Sequence, residues 1–167
     1  MSSRPRGCDD GPVSEVSHQK LVPEDAGEVL TLQRAAFLAE AQLYRTTDIP
    51  PLLESFDELR AEIEATYSLG AFRGSRLVGA LRLTVDGPVG WISRVAVAPD
   101  QQGQGIASGL LRAIEAAAPP SVQEFRLAAG AKSEANRSMY ERRGYRELSR
   151  MVDSAGIQLV VMGKARG

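Results

Sequence analysis

Gly103 and Gly105 stand one residue apart in Asp100-Gln101-Gln102-Gly103-Gln104-Gly105-Ile106-Ala107, directly behind the valine-rich run Val95-Ala96-Val97-Ala98-Pro99. A strand that feeds a glycine turn and then a helix leaves the first N–H groups of that helix without partners inside it. With the positive end of the helix dipole, those donors suit a phosphate or pyrophosphate. Glycine at 103 and 105 removes the side chains that would hold an anion away from the backbone. The same spacing also serves as an ordinary tight turn between strand and helix. No dinucleotide fingerprint is met, since the third glycine falls at Gly109, and no lysine follows as a nucleoside-triphosphate loop needs.

Downstream, Asn136 and Tyr140 lie one helical turn apart on a segment that reads as a helix over 133–143. A tyrosine on a helix commonly fills the core with its hydroxyl on a backbone group; beside a departing group it can serve as a proton donor. Asn136 reads equally well as a polar residue on the helix surface. His18 has no serine or carboxylate constellation that would define a triad. A catalytic role for Cys8 is disfavoured by its place in a segment without hydrophobic pattern. One cysteine and one histidine exclude an internal disulfide and argue against a zinc site of the usual ligand types.

The elements that must position these residues follow from periodicity and punctuation. Residues 1–14 carry Pro5, Gly7, Gly11 and Pro12 and are expected to form a disordered leader. A strand over 16–22 stops at Pro23, and a helix follows over 26–44 on the stripe Val29, Leu32, Ala36, Phe37 and Leu43. Ile49-Pro50-Pro51 breaks it, and a second helix is predicted over 56–65 with Phe56, Leu59 and Ile63 on one face. Runs over 67–73, 76–85 and 89–98, divided by Arg73-Gly74-Ser75-Arg76 and Asp86-Gly87-Pro88, read as three antiparallel strands. A helix on Ile106, Leu110, Leu111 and Ile114 closes at Pro119-Pro120, and a strand over 124–129 precedes the helix that carries Tyr140. Strands over 145–152 and 157–163 end the chain. The order is β-α-α-β-β-β-α-β-α-β-β, with no internal repeat.

The chain has 167 residues, 43% hydrophobic and 25% charged, which fits one globular domain with a real core. Twenty basic side chains against twenty-one acidic ones give no bulk field for nucleic acid. No apolar run approaches the roughly 18 residues of a membrane span, and no secretory h-region is evident. The expectation is a soluble cytoplasmic protein that binds neither nucleic acid nor membrane. Arg137, Arg142, Arg143, Arg146 and Arg150 read as a solvated face interleaved with Glu134, Glu141 and Glu147; an RNA surface is disfavoured because no aromatic platform accompanies them.

Gln102-Gly103-Gln104-Gly105-Ile106-Ala107 resembles the Gln/Arg-x-x-Gly-x-Gly/Ala signature of the GNAT superfamily, the Gcn5-related N-acetyltransferases. Val95-Ala96-Val97-Ala98-Pro99 is similar to that family's fourth strand, and Asn136-Arg137-Ser138-Met139-Tyr140-Glu141-Arg142-Arg143-Gly144-Tyr145 to its second hallmark, Asn-x-x-x-Tyr-Glu-x-x-Gly-Tyr/Phe. The two motifs occur together on the elements expected to carry them, and the likeness runs from about Val16 to the end. It implies an α/β fold in one GNAT-like domain over 15–167: a mixed, mostly antiparallel central sheet of about seven strands flanked by four helices.

The resemblance also implies acetyl-CoA as cosubstrate, with no metal. Gln102, Gly103, Gln104, Gly105, Ile106 and Ala107, with Ser108 beside them, would hold the pyrophosphate. The fourth strand would splay from the fifth and receive the pantetheine arm along Val95, Ala96 and Val97. The Val95 amide would stabilise the oxyanion, Asn136 would reach the pantetheine, and Tyr140 would protonate the thiolate. Relatives that carry a glutamate base place it on the fourth strand; here Trp91, Ile92, Ser93 and Arg94 occupy that stretch, so no base is assigned. The basic residues near Tyr140 could contribute to the 3′-phosphate.

Residues 40–64 hold seven acidic side chains (Glu40, Asp48, Glu54, Asp57, Glu58, Glu62 and Glu64) against Arg45 and Arg60, a formal charge of −5. In the resembling family this region borders the acceptor pocket and would steer a cationic amine; charged outer faces of two short helices explain it equally well. Tyr44, Tyr67 and Trp91 either line that pocket or fill the core. The reading is an N-acetyltransferase acting on a primary amine of a small molecule or peptide by direct attack in a ternary complex. A coenzyme-A-sensing module without turnover, and an enzyme that modifies a protein N-terminus or lysine, stay open beside it. Dimers are common in the family, so a homodimer is open as well.

Overall fold

Residues 15–167 are described by a computed structural model, and the expected leader over 1–14 lies outside them. Seven strands form one sheet in the order β1-β2-β3-β4-β5-β7-β6. Along the chain, β1 (Val16–Lys20) leads to α1 (Ala26–Tyr44), a single-turn α2 (Pro50–Leu53) and α3 (Phe56–Ala65). The meander β2 (Tyr67–Arg73), β3 (Arg76–Asp86) and β4 (Val89–Val97) follows, then α4 (Ile106–Ala117), β5 (Glu124–Gly130), α5 (Glu134–Arg142), β6 (Arg146–Val152) and β7 (Gln158–Ala165). Every adjacent pair is antiparallel except β4 and β5.

The expected order of elements holds, with α2 added. Pro50 and Pro51 end the run from α1 as expected, but Pro50 also opens a helical turn of its own, behind an extended Ile49. Proline suits that first position because its missing N–H would be unpaired there anyway. The span of α3 matches expectation because its start is written locally: the Ser55 hydroxyl accepts the Glu58 amide at 3.1 Å while the Glu58 carboxylate takes the Ser55 amide. On α1 the apolar stripe departs from expectation. Val29 and Leu32 are buried, but Leu43 is 45% exposed and Ala41 takes the inward position.

Both faces of the sheet are covered, which is why β3 is buried over seven consecutive residues instead of alternating. On one face Leu69, Val78, Leu81, Leu83 and Ile92 pack against Leu110, Leu111 and Ile114 of α4 and Tyr140 of α5. On the other, Phe72, Leu77 and Ala80 meet Val29 and Leu30 of α1 and Leu59 and Ile63 of α3. Among the described residues no helix is long and apolar enough to cross a membrane.

The functional consequence lies at the parallel junction. β4 and β5 pair only at Val89–Glu124, Gly90–Phe125 and Trp91–Arg126. Beyond that point β4 continues to Val97 and β5 to Gly130 without partnering each other, so the sheet opens along their second halves.

Candidate functional site

The glycine turn forms as its composition requires. After a 3-10 turn at Pro99–Gln101, Gly103 and Gly105 take φ values of +76° and +78°, the left-handed region in which side chains are strained. The amide of Gly109 donates to the Gly105 carbonyl at 2.9 Å. The N–H groups of Ile106, Ala107 and Ser108 precede that first helical bond and have no acceptor within α4. Gln102, Gly103, Gln104 and Gly105 are exposed, Ala107 and Ser108 half-buried, and Ile106 is anchored in the core. A Cβ at either Gly103 or Gly105 would meet nothing within 4 Å, so the corner is open to an incoming anion.

Two arginines expected only as hairpin punctuation brace this turn. Arg73 donates to Gln101 at 2.8 Å and to Gln104 at 2.6 Å, and Arg76 grips Asp100 through both guanidinium nitrogens. The Arg76 guanidinium holds the Asp100 carboxyl down to about 2. His18 from β1 stands on the other side, its imidazole near Gly109 on α4.

A bulge shapes the opposite wall. Ala80 faces Ala96 and Arg82 faces Ser93, which leaves Leu81 opposite both Arg94 and Val95. Arg94 accommodates the extra residue at φ +54°, unusual for a side chain of its size. Past the bulge, the Ala98 amide donates to Val78 on β3 at 2.9 Å. Backbone groups alternate sides along a strand, so those of Val97 face away from β3, toward the opening left by β5. Val95 and Val97 rest their side chains against the cluster that contains Tyr140, Leu127 and Ala129, and Ala96 is buried on the opposite face.

Tyr140 is 6% exposed and sits edge-on to Tyr145 with ring centroids 6.1 Å apart. Burial, and next the charge of Glu40, push its phenol well above the usual tyrosine range, so it stays a neutral donor at physiological pH. Asn136, one turn earlier, is exposed.

Glu40 itself gained no role from the sequence beyond membership of an acidic stretch. It accepts the Ser133 hydroxyl at 3.0 Å, and one turn later on α1 the Tyr44 hydroxyl accepts the Lys132 amide at 3.0 Å. α1 packs on β3 and β4, so these two contacts carry it across the opening to the start of α5. Burial, and then the charge of Asp153, raise the Glu40 carboxyl above the ordinary range, although the Ser133 hydroxyl pulls it down. A weak sequence signal existed: Gln33, Glu40 and Tyr44 recur at i, i+7 and i+11, polar side chains on the inward face of the helix.

Two turns before Glu40 on α1, Gln33 joins a second buried network. Glu54 receives both terminal nitrogens of Arg82 and the Gln33 amide at 3.0 Å, with Arg82 and Glu54 side chains 8% and 9% exposed. Burial disfavours the charged Glu54, but hydrogen bonds from Arg82 and Gln33 outweigh it and hold its carboxyl below the usual value. The Arg94 guanidinium approaches the same carboxylate at 4.0 Å. Tyr67 and Trp91, the other expected aromatic candidates, lie under Lys20 and Arg126.

A family model described as an acetyltransferase (GNAT) domain matches residues 40–166. Among solved structures, the chain is similar to the PaiA N-acetyltransferase of Thermoplasma acidophilum in complex with coenzyme A, at 20% identity and TM-score 0.72, covering 90% of this chain and 99% of that one. It is similar also to YncA, a putative acetyltransferase of Salmonella typhimurium with acetyl-CoA, at 17% identity and TM-score 0.74, with 92% and 95% covered. The ribosomal-protein-S18-alanine N-acetyltransferase of Escherichia coli matches at 16% identity and TM-score 0.72, again with 92% and 95% covered. At these identities the likeness is one of fold. No curated protein matches the chain by sequence.

Proposed function

The chain belongs to the GNAT acetyltransferase family, and on that basis we propose that it moves an acetyl group from acetyl-CoA to a primary amine of a small molecule or peptide. The observation that carries this reading is the opening between β4 and β5 beyond Trp91, with the glycine turn at one end of β4 and Tyr140 packed over its edge. Acetyl-CoA supplies an anionic pyrophosphate, an extended amide-bearing arm and a thioester, and each finds a fitting surface here. The open amides of Ile106, Ala107 and Ser108, with Gln102, Gly103, Gln104 and Gly105 before them, suit the pyrophosphate. The unpaired edge at Val95, Ala96 and Val97 suits the arm, in the manner of an added strand, and Asn136 borders it from α5. That two of the neighbours were solved with coenzyme A or acetyl-CoA supports the same assignment.

The protein's contribution to such a transfer is positioning, one oxyanion donor and one acid. The Val95 amide donates to the acyl oxygen as negative charge builds there; preorganised donors of this kind contribute about 3 kcal/mol. Tyr140, kept neutral by burial, gives its proton to the departing sulfur. No metal and no nucleophilic side chain is required. The location is assigned to the cytoplasm, where acetyl-CoA is supplied.

The test is a screen of alkylamines, arylamines and peptides with acetyl-CoA, read as thiol release, alongside calorimetric binding of coenzyme A. Turnover with an amine or peptide is expected. Coenzyme binding without turnover of any acceptor would instead establish a binding module, and turnover confined to protein substrates an enzyme of N-termini or lysines.

A further inference from the structure

We infer that Glu40, which reaches from α1 across the open ends of β4 and β5 to the Ser133 hydroxyl, is the general base for an alkylammonium acceptor. This rests on the reading of the chain as an acetyltransferase. The step needs a base because a protonated amine cannot attack a thioester, and β4 offers none at Trp91, Ile92, Ser93 or Arg94.

Three other carboxylates around the opening are committed. Glu54 is neutralised by Arg82 and Gln33. Asp153 holds the turn between β6 and β7, its Oδ1 accepting the amides of Ala155 and Ile157 at 2.8 and 3.0 Å. Glu115 is on α4, bound to Tyr145 and Lys164. Glu40 differs. Its one hydrogen-bond partner is a neutral hydroxyl at Oε1, and among the described residues no lysine or arginine pairs with it. It is half-buried, so an incoming amine can approach it.

Its position relative to the acid is equally informative. Ser133 precedes α5, and Tyr140 stands seven residues, two helical turns, further on the same face. The charge of Glu40 is accordingly felt at the Tyr140 phenol, whose proton it helps to hold. The groups that face Glu40 are Tyr44 on its own helix, Ser133 and Tyr140 from the α5 side, and Asp153 from the β6–β7 turn. Lys132 turns its ammonium over the Tyr44 ring, 5.6 Å from the centroid, and Arg94 of β4 is directed to Glu54. The net environment raises the carboxyl, which brings its basicity closer to what proton abstraction near neutrality requires.

The step balances without a further reactant. The ammonium gives one proton to Glu40, which releases it to solvent. The neutral amine forms the C–N bond to the acyl carbon as the C–S bond breaks. Tyr140 protonates the leaving sulfur, and the second N–H proton returns to the phenolate. The products are the amide, the free thiol and one proton.

Acetyl transfer to 2-phenylethylamine, protonated at neutral pH, and to aniline, which is not, separates a base from a structural residue. For Glu40→Gln we expect kcat/KM with 2-phenylethylamine to fall about a hundredfold and to lose its acidic limb, while aniline changes by less than about threefold and the coenzyme Kd is unchanged. Glu40→Asp should recover part of the loss. Ser133→Ala removes the donor that favours the carboxylate, so the acidic limb should move to higher pH; this variant also serves if Glu40→Gln fails to fold. An equal loss for both amines, an undiminished alkylamine rate in Glu40→Gln, or an unmoved limb in Ser133→Ala overturns the assignment. Wild-type protein that turns over aniline but not 2-phenylethylamine overturns it too. Failure of the transferase reading looks different: the wild type is then inactive across the whole acceptor screen.

Discussion

The phenolic oxygen of Tyr44 accepts the backbone N–H of Lys132 at 3.0 Å, joining the last turn of α1 to the link between β5 and α5 across 88 positions of chain. With the Glu40–Ser133 bond beside it, this contact closes the α1 side of the space between β4 and β5. Gly130 makes the approach feasible, because a Cβ there would land on the Tyr44 hydroxyl and 2.9 Å from the Ser133 oxygen.

Gly130→Ala should therefore push α1 away from the α5 junction. We expect a loss of about 1–3 kcal/mol in urea unfolding from overpacking. Acetyl transfer should fall by a larger factor than coenzyme affinity, because the added Cβ meets Tyr44 and Ser133 while the glycine turn is braced separately by Arg73 and Arg76. Equal losses in both would place Gly130 in general folding only.

Tyr140→Phe should leave stability nearly unchanged. The ring stays packed against Tyr145, and among the described residues the hydroxyl has no hydrogen bond to lose. Transfer at neutral pH should drop about a hundredfold or more, the usual contribution of a general acid, with the coenzyme Kd retained. A variant that keeps its rate would remove Tyr140 from the chemistry.

At Gly105, strain and charge can be separated. Gly105→Ala places a Cβ at φ +78°, which should cost about 1–2 kcal/mol of stability. Gly105→Glu adds a carboxylate to the same corner, where it would repel a pyrophosphate, and calorimetry should find coenzyme binding abolished. Full affinity in the glutamate variant would mean that the anion binds elsewhere.

Glu54 ties Arg82 and Gln33 beneath α1, and its removal leaves a buried guanidinium without its counterion. Glu54→Ala should cost about 3 kcal/mol in chemical denaturation. Glu54 has a lowered folded-state pKa, so its contribution is present above the unfolded value and fades as pH falls below about 4.5. Wild-type stability should decline over that acidic range more steeply than that of Glu54→Gln. Parallel pH profiles for the two proteins would contradict the pairing.

How much of this was legible in the chain depends on the distance over which each feature is specified. The span of α3, the turn-divided runs of β2 to β4, the prolines at 50, 51, 119 and 120, and the glycine turn are specified locally, so period and punctuation located them within a residue or two. Tyr140 and the glycine turn were found as motifs for the same reason. The addition of α2 and the exposure of Leu43 escaped notice because proline can start a turn as well as end one, and because a helix's inward face is chosen by what it packs against.

The order of elements and the glycine turn after Pro99 are thus properties of the linear chain. The family resemblance already implied that β4 parts from β5, but tertiary structure alone decided that this happens after Trp91, that Arg94 bulges, and that Arg73 and Arg76 brace the turn. It also decided that Glu40, one carboxylate among seven in its stretch, meets a hydroxyl 93 positions away. Nothing within a helical period records such a meeting. Closure of so long a loop is paid in entropy by the whole core, and the packing of α1 across β3 and β4 determines which of its side chains arrives at the opening.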